Sequence, residues 1–134
     1  MDTDDPYNMI RLLSDNYLLL TNHHNLSQNY RSLLRIQDSL GYVKCSNLQL
    51  TVESKMNYIG FKHSTNISVN LFQLVAGVGI NGCSDMEIRI EGTNHPITIL
   101  IKNSKGIRLN LPKTQAVRDQ IRIRSINSQV SYVE

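Results

Sequence analysis

The chain has 134 residues, 40% of them hydrophobic and 19% charged, with a formal net charge of +3. Its length fits one domain, and its apolar share excludes a wholly disordered chain. No run of about 18 uncharged apolar residues exists to span a membrane as a helix, and two Cys are too few for a disulfide scaffold.

Residues 1–8 read as a loose acidic arm: Asp2, Asp4 and Asp5 lie there, and Asp15 follows. The MDTDDPY start has the wrong charge for a secretory or mitochondrial signal, so an intracellular chain, nuclear or cytoplasmic and not secreted, is expected. Cys45 and Cys83 fit reduced thiols there. Residues 9–21 suit a helix or a buried strand equally. A helix is predicted over Gln28 to Leu40, with Ser27 as N-cap and Gly41 as its C-terminal stop. Strands follow over Tyr42 to Thr51 and Tyr58 to Lys62, with ESKMN as the turn. A second, short helix is predicted from Leu71, Phe72, Val75 and Ala76, stopped by Gly77. MEIRIE, ITILIK and IRLNL alternate apolar with polar residues and read as a three-strand meander with one buried face. QIRIRSI continues the alternation, and a final hairpin through INSQ is expected.

The fold class expected from this order is α+β: a mostly antiparallel sheet with two helices packed on one face, (β)αββαβββ plus a β tail. One domain spans 9–114 and a basic β tail spans 115–134. No tandem repeat is visible. Asn is abundant, which reads as the imprint of an AT-rich genome.

Catalytic motifs are weak. Gly77-Val78-Gly79-Ile80-Asn81-Gly82 matches G-x-G-x-x-G, but a dinucleotide site needs a helix opening at its third glycine, and MEIRIE follows instead. It reads as a glycine-rich turn between helix and strand. His23, His24, His63 and His95 have no ligand spacing with each other or with the Cys. No nucleophile elbow is present, and Glu87 and Glu91 flank Arg89 as a strand-surface ion-pair pattern. The expectation is a chain with no catalytic, cofactor-binding or metal-binding residues and no cofactor. A small enzyme with an unrecognised site is the remaining alternative.

From about Tyr17 to Thr114 the spacing resembles one domain of the PCNA-like checkpoint sliding clamp subunits. The residues carrying the likeness are LQLTVESKMNYIGFKH, ISVNLFQLVAG and the strands ending in LNLP. The resemblance implies a non-enzymatic, clamp-like oligomeric module in DNA transactions, of checkpoint or processivity type. The same order resembles roadblock/longin-type scaffold domains through LLRIQDSLGYV and the meander, implying a protein-interaction scaffold with no nucleic-acid contact. Residues 99–124 hold seven cations against Asp119. Arg31, Arg35, Lys102, Lys105, Arg108, Lys113, Arg122 and Arg124 are the candidate contacts to nucleic acid or an acidic partner, with duplex DNA held by its phosphates alone. Self-association or partner binding is expected through a sheet edge, the tail strand first.

Overall fold

A computed structural model describes residues 17–30, 39–93 and 95–133. Twelve strands and one short helix lie among them: β1 (Tyr17–Thr21), β2 (His24–Tyr30), β3 (Ser39–Val43), β4 (Ser46–Val52), β5 (Met56–Lys62), β6 (Thr65–Leu71), β7 (Leu74–Asn81), β8 (Ser84–Ile90), β9 (Ile97–Lys102), β10 (Lys105–Asn110), α1 (Gln115–Arg118), β11 (Ile121–Ile126) and β12 (Val130–Tyr132). Odd strands form one six-stranded sheet in the order β1-β3-β5-β7-β9-β11. Even strands form the other in the order β2-β4-β6-β8-β10-β12. Every pairing is parallel. The chain is therefore a β-solenoid. Each rung contributes one strand to each sheet and stacks on the next.

This overturns the α+β expectation with its antiparallel sheet and two helices. The alternation in MEIRIE, ITILIK and IRLNL is real, and Met86, Ile88, Ile90, Ile97, Ile99, Ile101, Ile107 and Leu109 are all buried. Alternation reports a buried face and not the neighbouring strand. The three segments do not pair with each other in order: β8 pairs with β10, and β9 with β7 and β11. The second predicted helix is the end of β6 and the start of β7. The predicted stripe of Leu71, Phe72, Val75 and Ala76 straddles a tight corner at Phe72-Gln73, with Leu71 the last inward residue of one strand and Leu74 the first of the next. The ends of the first predicted helix lie in β2 and β3. Its middle, like the acidic arm and residues 9–16, lies outside the described residues.

The rungs repeat. Leu48, Ile67 and Met86 are register partners spaced by 19 residues (48, 67, 86), and Ile107 follows 21 further on. Leu40, Ile59, Val78 and Ile99 form the matching column of the odd sheet. Inward side chains of both sheets merge in one core, from Leu18 and Leu20 to Ile107 and Leu109. Its first rungs are partly polar. The Tyr30 and Tyr42 hydroxyls hydrogen-bond each other at 2.7 Å, and Gln28 Oε1, 3.2 and 3.4 Å from them, accepts the proton that bond leaves over. Tyr42 also stacks on its register partner Phe61, with ring centroids 5.4 Å apart.

One corner is built alike in successive rungs. Asn22, Lys44, His63, Gly82, Asn103 and Asn127 stand in the left-handed region, as do Asn25, Asn47, Asn66, Asp85 and Gly106 three residues after the first five. Asn and Asp tolerate this region because their short polar side chains bond locally, and glycine has no Cβ to clash. The abundance of Asn thus has a structural reason. Between the members of each of the last four pairs sits a small inward residue: Cys45, Ser64, Cys83, Ser104. The Ser64 hydroxyl accepts from the Cys45 amide at 3.1 Å and donates to the Lys62 carbonyl; Ser104 does the same for the Cys83 amide at 3.0 Å and the Lys102 carbonyl. Asn side chains bond along the same edge, Asn47 to Asn25 at 2.6 Å and Asn127 to Asn103 at 2.8 Å.

Two outcomes are expected. Ile99 is fully buried and Thr98, on the outer face, is exposed. Ile99→Asp should cost about 4 kcal/mol or prevent folding, and Thr98→Asp less than about 1 kcal/mol, by urea denaturation. Ser104→Ala leaves the buried Cys83 amide without its acceptor and should cost about 1–3 kcal/mol in the same measurement.

Candidate functional site: the outer face of the odd sheet

The two outer faces differ in charge because whole columns differ in composition. No Asp or Glu occurs in β1, β3, β5, β7, β9 or β11, whereas Lys62, Lys102, Arg122 and Arg124 do. The even strands carry Asp85, Glu87, Arg89, Lys105 and Arg108, a mixed set. Arg108 lies 3.5 Å from Glu87 on its neighbouring strand, and Arg89 lies 3.2 Å from Glu91.

The predicted basic cluster is therefore split. Lys102, Arg122 and Arg124 come together on the odd sheet, where Arg122 and Arg124 are register partners of Thr98 and Leu100. Arg108 faces the other way. Lys105 starts β10 within the corner, between Asn103 and Gly106. Lys113 lies beyond the far end of β10, beside Arg118 and Tyr132 around a cavity of about 250 Å³. Arg31 and Arg35 lie outside the described residues. Lys62 was missed: it stood in a predicted strand without a neighbouring cation, and only the register sets it near Lys102.

The centre of the basic face is a stripe without side chains. Gly41, Gly60 and Gly79 are consecutive register partners. Leu19 and Leu100 continue the column at either end. The Tyr58 ring lies across it: a Cβ on Gly79 would stand 1.8 Å from the Tyr58 hydroxyl oxygen, and one on Gly60 3.1 Å from its ring. The result is an open trough of about 270 Å³, bounded by Tyr58 on one side and by Val43, Lys62, Asn81 and Lys102 on the other. The G-x-G-x-x-G match is β7 and its corner, not a turn between helix and strand. Gly77 lets the Thr98 carbonyl approach, Gly79 seats Tyr58, and Gly82 adopts φ +67°.

Among the described residues, groups capable of chemistry do not converge: no three His, Cys, Asp or Glu side chains gather as a metal site. Cys45 and Cys83 are buried, and burial pushes both thiols up, away from the reactive thiolate form. His24 Nδ1 bonds Ser46 Oγ at 2.6 Å at the corner. Burial, and then the neighbouring His24, lowers the His23 pKa. Among the described residues, no helix is long and apolar enough to cross a membrane.

Comparison with known proteins settles the family. The model for the adenylate cyclase associated (CAP) C terminal matches residues 11–132. The chain belongs to this family of cyclase-associated protein C-terminal domains. Among solved structures, cyclase-associated protein from Cryptosporidium parvum matches with a TM-score of 0.72 at 16% identity, over 91% of this chain and 74% of that one. That likeness shows the fold. A search of curated proteins found no match. The sliding-clamp resemblance, the DNA-transaction function drawn from it and the roadblock/longin alternative are all overturned by the family match and by the solenoid. Both expected families were inferred from a helix–strand order that the chain does not have. Cyclase-associated protein C-terminal domains mediate self-association and protein binding, which upholds the expectation of a protein partner or self-association and leaves duplex DNA without support. Their proteins are intracellular, and the nuclear option has no support.

Alkaline pH should expose the buried acids. Burial, then Tyr30, raises the Tyr42 pKa well above 10.0, and burial raises both thiols above 9.0. Each group holds its proton longer folded than unfolded. Their stabilisation is therefore complete below about pH 9 and is lost as pH rises through the folded values. Urea midpoints should fall between pH 9 and 11, and Cys45→Ser/Cys83→Ser should flatten the first part of that fall.

Proposed function

We propose that this chain is a non-catalytic, cytoplasmic assembly domain that binds actin and self-associates through the open end of its solenoid. The family match across residues 11–132 carries the reading, since C-terminal domains of cyclase-associated proteins bind actin and dimerise. The chemistry agrees: buried thiols, scattered imidazoles and flat sheet faces suit contact better than turnover.

The open end supports the finer claim. β11 and β12 are the terminal strands of the two sheets, each with one edge unpaired among the described residues. The core columns run out there. Ile121, Ile123 and Val130 are only partly buried, while Ile126, Tyr132 and Val133 are 45%, 54% and 38% exposed. An unpaired edge with half-covered apolar columns is completed by a second copy. The same end offers Lys113 and Arg118, and the odd face offers Lys102, Arg122 and Arg124, as contacts to an acidic partner.

Light scattering after gel filtration should give a dimer mass at tens of micromolar. Tyr132→Glu/Val133→Glu, changing only exposed side chains, should shift it to a monomer. Monomeric actin should be retained by the immobilised domain. A wild-type monomer mass would remove self-association through this end, and absence of actin retention would remove the actin reading.

A further inference from the structure

We propose that the glycine-floored trough on the odd sheet docks an extended acidic peptide segment in which acidic and apolar residues alternate. The proposal rests on the trough's own geometry and charge, not on the actin reading. The Tyr58 ring lies over Gly60 and Gly79, so the trough runs beside that ring, and the three stacked glycines span about 10 Å across three strands about 4.8 Å apart. Their backbone groups are already spent in the sheet ladder, so the floor offers shape and apolar contact rather than hydrogen bonds. The two walls differ. One is the aromatic ring of Tyr58; the other is the column Val43, Lys62, Asn81, Lys102. Lys62 and Lys102 stand two rungs apart, and among the described residues neither makes an ion pair. No carboxylate lies in any odd strand to neutralise them, and Arg122 and Arg124 extend the positive field beyond Leu100.

A peptide lying along the stack with its pleat parallel to the floor sends alternate side chains to opposite walls. Residues i and i+2, about 7 Å apart, then face the lysine wall. Two flexible ammonium arms about 10 Å apart at their bases reach carboxylates at that spacing. Residue i+1 faces the Tyr58 ring, where an aliphatic side chain loses water. The trough is open along its length, which suits a chain passing through it better than a closed small molecule.

The test is fluorescence polarisation with a fluorescein-labelled Gly-Glu-Leu-Glu-Leu-Glu-Gly peptide at low and moderate salt. Saturable, salt-weakened binding to the wild type is expected. Lys62→Gln/Lys102→Gln should weaken it at least tenfold, Arg108→Ala on the opposite face should leave it within twofold, and the peptide with Gln for Glu should bind at least tenfold more weakly. Circular dichroism verifies that each variant is folded. Absence of saturable binding at low salt overturns the proposal. So does equal binding by the lysine variant, or displacement of the probe by tripolyphosphate at the probe's own affinity, which would make the trough a simple anion site.

Discussion

Backbone hydrogen bonding between parallel, in-register rungs is the constraint on which the rest depends. It does not stop at the strand ends. The amides of Asn22, Lys44, His63, Gly82 and Asn103 donate to the carbonyls of Val43, Lys62, Asn81, Lys102 and Ile126, and those of Ser46, Thr65, Ser84 and Lys105 donate back to His23, Cys45, Ser64 and Cys83. The ladder therefore runs through the corner as well as the sheets. A buried amide left unpaired costs more than a made bond returns, so the corner cannot drift out of register without loss. Ser64, Ser104 and Ser128 supply a side-chain oxygen to the amides of Cys45, Cys83 and Ser104, and the left-handed Asn, Asp and Gly residues turn the chain there.

In-register stacking converts residue choice into columns. A residue type repeated at one position along the rungs becomes a stripe on the surface. Glycine at 41, 60 and 79 becomes a trough, and Lys62 and Lys102 become its wall. Because the odd strands lack carboxylates throughout, one outer face is basic from Lys62 to Arg124, while the even face pairs Arg108 with Glu87. The same logic leaves the last rung exposed: Tyr132 occupies the column of Leu50, Val69, Ile88 and Leu109, which are buried because a further rung covers each of them.

Burial was legible in the sequence where alternation was clean, as in MEIRIE and ITILIK. Strand pairing was not, because a parallel solenoid pairs residues about 20 positions apart and period two is silent about partners. The repeat was hidden by drift: the step from one rung to the next is 19 residues at Leu48, Ile67 and Met86 but 21 at Ile107 and 23 at Val130, and no single residue type recurs in every rung. The usable signal was the corner, in which KCSN, HSTN, GCSD and NSKG share a left-handed residue, a small residue and a second left-handed residue at fixed spacing. Leu71, Phe72, Val75 and Ala76 misled because a corner between two strands places apolar residues at helical intervals. Charge alone grouped Lys102, Arg122 and Arg124 with Lys105, Arg108 and Lys113, which the register separates from them; Lys62 and the glycine stripe also required the register.

Cross-rung contacts test the account most directly. Methyl and amide NMR of the folded chain should show Ile59 against Val78, Val78 against Ile99, and Met86 against both Ile67 and Ile107, all in parallel register. Contacts that instead pair β8 with β9 and β9 with β10 as antiparallel neighbours would contradict the solenoid, and with it the trough and the open end.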